Sequence, residues 1–266
     1  MLDASSSPLR RRFRTLFVSD LHMGARGCRA EAFLDFLRSV EAETIYLVGD
    51  ILDIWHPRRV HWGKTHDAIW AELVARHKAG TRVVYLPGNH DAALRTSGKD
   101  RFGVFEMQDS LTHEGADGTR WLVLHGDQCD ARIFRWHVMT RIGSRGDAAL
   151  RALDHWLRRQ LRSSAEKGIF EWAISGVNAL MLLGNGYEKR LAAMAIAGGH
   201  DGVICGHFHK PALHENNGIA YANCGDWVDS QTALAETFEG SMQMLEWSAA
   251  EQAEAGWQPL VEETVQ

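Results

Sequence analysis

Residues 82–91, "RVVYLPGNHD", carry an apolar strand pattern that ends abruptly in a proline, a glycine and three polar side chains. Pro87, Gly88 and Asn89 are ordinary turn residues after a strand. Taken alone, the stretch therefore predicts a strand followed by a corner. A functional interpretation depends on whether other strands of the chain end in similar residues.

Four other apolar runs end in the same way. They alternate with segments of helical spacing, at residues 30–42 and 66–80, through the first half of the chain. The four runs are TLFVSDLH (15–22), TIYLVGDILDIW (44–55), RWLVLHGD (120–127) and DGVICGHFH (201–209). Sites in open α/β sheets form just beyond the carboxyl ends of the strands, so we expect these polar residues to meet at one edge of such a sheet.

The polar residues behind the five strands are of metal-binding types and include no thiolate. The candidates are Asp20, His22, Asp50, Asn89, His125, His207 and His209. Oxygen and imidazole ligands suit Mn²⁺, Fe or Zn²⁺ better than they suit a cysteine-rich structural zinc site. Each short motif alone could be a turn or a pair of structural histidines. Their conjunction favours two ions that share a carboxylate, the recurrent device for in-line displacement at phosphorus.

Composition limits the class of protein. A chain of 266 residues, 45% hydrophobic and 24% charged, can form one large domain or a core with an inserted subdomain. Its net charge of −5 argues against nucleic acid as a partner. No apolar stretch approaches the roughly 18 residues of a membrane span. The four cysteines show no CxxC pairing, so we interpret them as free thiols of a reducing cytoplasm.

The motifs DLH, GDILD, GNHD, HGD and GHFH, in this order between residues 20 and 209, resemble those of the calcineurin-like metallophosphoesterases. The resemblance implies an α/β fold, a four-layer αββα sandwich, and two divalent ions as cofactors. Mn²⁺ is the expected metal, with Fe or Zn²⁺ as alternatives. One ion would be held by Asp20, His22, Asp50 and His209, and the other by Asp50, Asn89, His125 and His207.

The same resemblance gives catalytic roles to two further residues. His90 would stabilise the transition state or protonate the leaving oxygen. Asp53, three residues beyond the shared ligand Asp50, would orient the His90 imidazole and raise its pKa. Asp91 and Asp127 are expected to brace loops or neighbouring histidines.

Between His125 and the GHFH motif lies a long segment with little strand signal, in which apolar residues recur at helical spacing. We expect a helical cap there that overhangs the metals and contributes the substrate-binding residues. The predicted ranges are a disordered N-terminal tail at 1–13, a core at 14–129 and 200–248, the helical cap insertion at 130–199 and a C-terminal tail at 249–266.

The C-terminal part of the core predicts short strands joined by Asn-Gly and Glu-Gly turns, which we expect to form the second sheet of the sandwich. Its stretch NCGDWVDSQTALA (223–235), together with GDILDIW and the helical cap, is similar to the UDP-2,3-diacylglucosamine pyrophosphatases of lipid A synthesis. That group reads Gly-Asn-Arg-Asp where this chain has His90. The histidine matches the broader superfamily.

The resemblance implies a hydrolase of a phosphoanhydride or phosphodiester, with UDP-2,3-diacylglucosamine cleaved to UMP and 2,3-diacylglucosamine 1-phosphate. One alternative is a phosphodiesterase or phosphatase acting on another nucleotide or a phospholipid headgroup. Others are a non-catalytic scaffold and, disfavoured by the acidic balance, a nuclease. The cap combines arginines with Trp and Met, which suits a lipid-nucleotide substrate or an anionic membrane surface. We therefore expect a cytoplasmic protein with peripheral contact at the inner membrane.

Overall fold

The computed structural model describes residues 10–54, 60–95, 104–130, 186–216 and 218–247. By its contacts the chain divides into two compact units, one formed by Met1–Asp127 with Leu191–Gln266 and the other by Gln128–Arg190. Most of the predicted cap and the predicted tail at 249–266 lie outside the described residues. So does most of the N-terminal tail.

The described elements include three α-helices, a 3₁₀ turn and eleven strands. The helices are α1 (Ala30–Ser39), α2 (Lys64–Lys78) and α3 (Gly186–Ala197), and the 3₁₀ turn is Asp127–Asp130. The strands are β1 (Arg11–Val18), β2 (Val40–Val48), β3 (Arg82–Leu86), β4 (Glu106–Met107), β5 (Ser110–Glu114), β6 (Arg120–Leu124), β7 (Gly202–Cys205), β8 (Ala212–Asn216), β9 (Ile219–Asn223), β10 (Thr232–Glu236) and β11 (Met242–Glu246).

The strands form two mixed sheets. The first has the order β11-β10-β1-β2-β3-β4, in which β1 to β4 run parallel and β10 and β11 are antiparallel additions. The second has the order β5-β6-β7-β9-β8, with β6, β7 and β9 parallel. Parallel strands end at the same edge of a sheet, so the polar residues behind β1, β2 and β3 are brought together.

The core has two parts because side chains of a strand alternate between its faces. Leu16 and Val18 of β1 pack with Phe33 of α1 in one buried cluster. Phe17, between them in sequence, belongs to a second cluster that includes Ile204 of the other sheet. The first sheet thus contacts helices on one face and the second sheet on the other, which confirms the predicted α/β sandwich.

Several predicted boundaries and one assignment to a sheet are wrong. β1 begins at Arg11, within the range predicted as a tail. α1 ends at Ser39, where the Oγ of Ser39 bonds the Phe36 carbonyl, and β2 begins at once with the β-branched Val40.

The C-terminal strands do not all join the second sheet as predicted. β8 and β9 do, but β10 pairs with β1 and carries β11 with it into the first sheet. The five strands that lead to ligand candidates are also divided between the sheets, because β6 and β7 lie in the second one. Across the described ranges, no helix combines the length and apolar character needed to cross a membrane.

Candidate metal centre

The loops behind β1, β2, β3, β6 and β7 bring the predicted ligands together. Asp20, His22 and His209 form one group in which the ligand atoms all lie within 4.8 Å of one another. A second group of the same kind combines Asp50 with His125 and His207. The amide of Asn89 adjoins this second group, because its Oδ1 lies 3.3 Å from Nε2 of His125.

Asp50 lies between the two groups. Its Oδ2 is 3.4 Å from Nε2 of His125 and 4.0 Å from Nε2 of His22. A carboxylate in this position can reach an ion in either group. The grouping therefore corresponds to the two ligand sets expected from the sequence, with Asp50 within reach of both.

Most of the candidate ligands have a strained backbone. Among the described non-glycine residues, six have a positive φ, and five of these are candidate ligands. They are Asp20 (53°), His22 (49°), Asp50 (53°), His207 (73°) and His209 (54°). Left-handed residues other than glycine are uncommon, and each costs of order 1–2 kcal/mol, so they persist only where the surroundings enforce them. Such outliers concentrate at functional sites.

Backbone hydrogen bonds between the first two loops enforce this geometry. The amide of Asp20 donates to the Gly49 carbonyl at 3.0 Å, and the amide of His22 donates to the Asp50 carbonyl at 2.9 Å. The parallel pairing of β1 with β2 thus continues past the ends of the strands. It fixes the Asp20 and His22 side chains against the loop that carries Asp50.

Both candidate carboxylates are buried and anchored by one oxygen only. Oδ2 of Asp20 accepts the backbone N–H of His207 at 2.9 Å, and Oδ1 of Asp50 accepts that of His90 at 2.7 Å. The other oxygen of each faces imidazole nitrogens. Oδ1 of Asp20 is buried, lies 3.3 Å from Nε2 of His209 and accepts no hydrogen bond from the residues that the structure describes.

Three of the motifs place a glycine before a ligand because no side chain fits there. A Cβ on Gly206 would lie 2.5 Å from Oδ2 of Asp20. A Cβ on Gly88 would collide with Oδ1 of Asp50, and one on Gly49 would collide with the His125 ring. The sequence indicated a turn at Gly88. The close packing of one loop's glycine on the next loop's ligand could not be predicted from it.

Charge and burial set the protonation of the histidines. Burial lowers the pKa of His22 to about 4, so its ring is neutral at pH 7. Burial also acts to lower the pKa of His125, but the Asp50 carboxylate outweighs it and raises that pKa to about 10. Nδ1 of His125 lies 2.9 Å from the Val48 carbonyl and donates to it, which directs Nε2 towards Asp50. A cation bound here must displace the proton from Nε2.

These features fit divalent cations. Neutral imidazole nitrogens and carboxylate oxygens converge in a buried space, and a carboxylate oxygen of Asp20 has no hydrogen-bond donor of its own. Buried charges are normally paired or bound to metal. The chemistry of the donors is that of borderline metals such as Mn²⁺, Fe and Zn²⁺.

His90 lies beside the ligand groups with a separate partner. Its Nδ1 is 3.2 Å from Oδ1 of Asp53, as the sequence led us to expect. Its Nε2 is on the side of Asp50, 4.0 Å from Oδ2. About a quarter of the His90 side chain is exposed, whereas Asp50 is buried. His90 is thus placed to face both the centre and a ligand arriving from solvent.

Asp91 braces two loops. Its Oδ2 accepts the Ile51 amide at 3.0 Å and the Tyr85 hydroxyl at 2.5 Å, and its Oδ1 accepts the Gly88 amide at 2.5 Å. Asp91 is fully buried. The carboxylate therefore ties the loop behind β2 to the loop behind β3.

Sequence reasoning missed the contacts that support Asp20. The amide of Trp227 donates to the Asp20 carbonyl at 3.1 Å, and Oγ of Ser19 donates to the Gly225 carbonyl at 2.9 Å. Nδ2 of Asn223 donates to the Gly206 carbonyl at 2.8 Å, just before His207. The Gly-Asp-Trp stretch was a signal of resemblance, but nothing local indicates which loop it supports.

Taken together, the two-sheet fold and the ligand groups are those of a metal-dependent hydrolase. Residues 13–211 match the model of the calcineurin-like phosphoesterase family, and the chain belongs to that family. The family and the ligand groups indicate divalent metal ions as cofactors.

Curated relatives match most of the chain. A UDP-2,3-diacylglucosamine hydrolase of Ralstonia nicotianae is 28% identical over 235 residues, which cover 84% of this chain and 87% of the relative. A protein of the same name from Cellvibrio japonicus is 31% identical over 218 residues, covering 75% and 83%. Among solved structures, Vacuolar Protein Sorting 29 from Cryptosporidium parvum matches with a TM-score of 0.47 and 11% identity, covering 92% of this chain and 94% of that one.

Proposed function

We propose that this protein hydrolyses the phosphoanhydride of UDP-2,3-diacylglucosamine, giving UMP and 2,3-diacylglucosamine 1-phosphate, with two Mn²⁺ ions as cofactors. The observation that carries the proposal is the match of most of the chain to relatives of that name, in a protein that has both ligand groups. The location proposed with it is the cytoplasm.

The ligand roles follow from the grouping. One ion would take Asp20, His22, Asp50 and His209, and the other would take Asp50, Asn89, His125 and His207. Two divalent ions held there would polarise the phosphoryl oxygens and supply an activated water at neutral pH. The buried, anchored carboxylates limit rearrangement of the ligands while the phosphoryl group is attacked.

His90 would act on the substrate directly. Asp53 holds its Nδ1, which leaves Nε2 facing the space beside Asp50 as a hydrogen-bond donor. In that position it would stabilise negative charge on the phosphoryl oxygens or deliver a proton to the leaving oxygen. The relation of His90 to Asp53 supports a role in proton handling.

The substrate has a charged head and acyl chains, so a membrane surface is its natural location. We propose peripheral contact of this protein with the cytoplasmic face of the inner membrane, through the arginine- and tryptophan-bearing residues 130–199. Sedimentation with vesicles containing anionic lipid tests it. Equal recovery with anionic and neutral vesicles would remove the membrane part of the proposal.

The function is tested by following UMP release from UDP-2,3-diacylglucosamine with Mn²⁺-loaded protein. UDP-N-acetylglucosamine, which lacks the acyl chains, and bis-p-nitrophenyl phosphate are the comparison substrates. Strong preference for the acylated nucleotide supports the proposal. Hydrolysis of the generic diester alone would keep a metallohydrolase but reject this substrate. Failure to hydrolyse any of the three by metal-replete protein would favour a scaffold.

A further inference from the structure

Arg95 joins the two loops that carry Asn89 and His125. We propose that the ion pair of Arg95 with Asp127 is a clamp that positions these two ligands, and so controls the affinity of one of the two ions selectively. The inference rests on the two-ion centre proposed above, and it does not depend on the identity of the substrate.

The contacts of Arg95 have the geometry of a fork. Nη1 donates to Oδ2 of Asp127 at 2.9 Å, and Nη2 donates to Oδ1 of the same carboxylate at 2.9 Å. Nη2 also donates to the Pro87 carbonyl at 2.7 Å. Only 25% of the Arg95 side chain and 10% of the Asp127 side chain are exposed. Bidentate pairs shielded from solvent are the strong ones, and lysine cannot reproduce them.

The two ends of the clamp are next to the ligands in sequence. Pro87 precedes Asn89 by two residues, and Asp127 follows His125 by two. Oδ1 of Asn89 and Nε2 of His125 face each other at 3.3 Å. Arg95 therefore closes a ring in which the guanidinium lies at one side and the two ligand atoms at the other.

The fold leaves a need for such a clamp. β3, which leads to Asn89, lies in the first sheet, and β6, which leads to His125, lies in the second. No strand ladder links β3 to β6 within the described residues, so strand pairing does not set the distance between their loops. The His125 ring is also held by the Val48 carbonyl, which makes Asn89 the ligand more dependent on Arg95.

The other group of ligands is supported differently. The Asp20 loop is held by the amide of Trp227 and by the bond of Ser19 to Gly225. Neither contact involves Arg95 or Asp127. Loss of the clamp should therefore weaken the ion at Asn89 and His125 and spare the ion at Asp20, His22 and His209.

The test is Mn²⁺ binding by full-length metal-free protein, measured by isothermal titration and by electron paramagnetic resonance of the bound ions. Arg95→Lys retains the charge but cannot reach both Asp127 oxygens and the Pro87 carbonyl. We expect one ion to bind with unchanged affinity and the other about 10- to 100-fold more weakly, with loss of the spin coupling between the ions at limiting Mn²⁺. Asp127→Asn should give the same pattern.

Arg82→Lys is the matched control. Arg82 makes a similar fork with Glu106, at 2.9 to 3.1 Å, at the opposite end of β3, and both partners are substantially exposed. Its replacement should leave both affinities unchanged. The double variant of Arg95 and Asp127 should be little worse than either single variant, since both remove one clamp.

Three results would overturn the clamp. The first is wild-type affinity for both ions in Arg95→Lys and Asp127→Asn. The second is an equal loss at both sites in these variants, which would indicate a general structural role. The third is a wild-type protein that binds fewer than two ions, which would remove the proposed centre itself. The first two leave the proposed function intact.

Discussion

The Nε2 atoms of His22 and His209 lie 3.1 Å apart, although 187 positions separate them in the chain. Two imidazoles cannot both direct a proton into so short a gap. Burial lowers the pKa of His22 to about 4, so its ring offers a lone pair at neutral pH. The Asp20 carboxylate raises the pKa of His209 against the effect of burial. A divalent ion between the two rings would take the place of that proton.

Asp50→Ala should lose both ions. Oδ2 of Asp50 lies within 4.0 Å of Nε2 atoms in both ligand groups, so its removal takes away a ligand from each. Elemental analysis of the purified variant after dialysis measures this. Asp35→Ala, at an exposed position of α1, is the control and should retain the wild-type content. Two ions retained by Asp50→Ala would refute its shared role.

His90→Ala should keep both ions but lower kcat by about 10²- to 10⁴-fold, the range for lost acid–base assistance. His90 contacts Asp53, and the remaining ligands do not depend on its ring. Steady-state kinetics with metal content measured on the same samples separates the two effects. His77→Ala, in the last turn of α2, should behave as wild type. Unchanged turnover in metal-replete His90→Ala would remove the assigned role.

Asp91→Ala should lower the free energy of unfolding by about 3 kcal/mol, because buried donors lose their acceptor. The donors are the amides of Ile51 and Gly88 and the Tyr85 hydroxyl. Urea unfolding with metal chelated isolates this effect from ion binding. Asp117→Ala, in an exposed turn, should cost far less. Equal costs for the two variants would show that Asp91 is not a brace.

Glu236 should make stability depend on pH at the acidic end. Burial acts to raise its pKa, but hydrogen bonds from His113, Thr15 and the Ala116 amide outweigh it and lower the pKa to about 2. The stabilisation is therefore complete above the ordinary value near 4.5 and is lost as the pH falls from there towards 2. It amounts to about 3 kcal/mol.

Glu236→Gln should flatten this part of the profile. The measurement is urea unfolding between pH 5 and pH 2.5, a range chosen to span the loss. Glu239→Gln, in an exposed turn, is the control and should keep the wild-type slope. A Glu236→Gln profile parallel to the wild type would show that another carboxylate is responsible.

The sequence predicted the strands and ligand candidates well because both are local patterns. A run such as 82–86 needs only apolar β-formers, and a polar triplet behind it stands out. The boundary between α1 and β2 was less accessible. Val40 continues the helical spacing of 30–39 but is also β-branched, and its pairing opposite Arg11 settles the choice.

The sheet to which a strand belongs was decided by distant partners. β9 and β10 are both short apolar strands in the same part of the chain. β10 lies against β1, with Leu234 opposite Phe17, whereas β9 lies against β7. Local propensity does not distinguish these pairings, since either neighbour would satisfy the backbone hydrogen bonds.

By itself, the sequence determined the α/β class, the family motifs and the chemical types of the ligands, because these depend on residue identity and short-range periodicity. Only the tertiary structure decided that the ligands come from two sheets, that five of them adopt left-handed backbone, and that Arg95 joins Pro87 to Asp127. Those features arise where separate loops meet. Their geometry is set by packing between residues far apart in the chain, which no local pattern encodes.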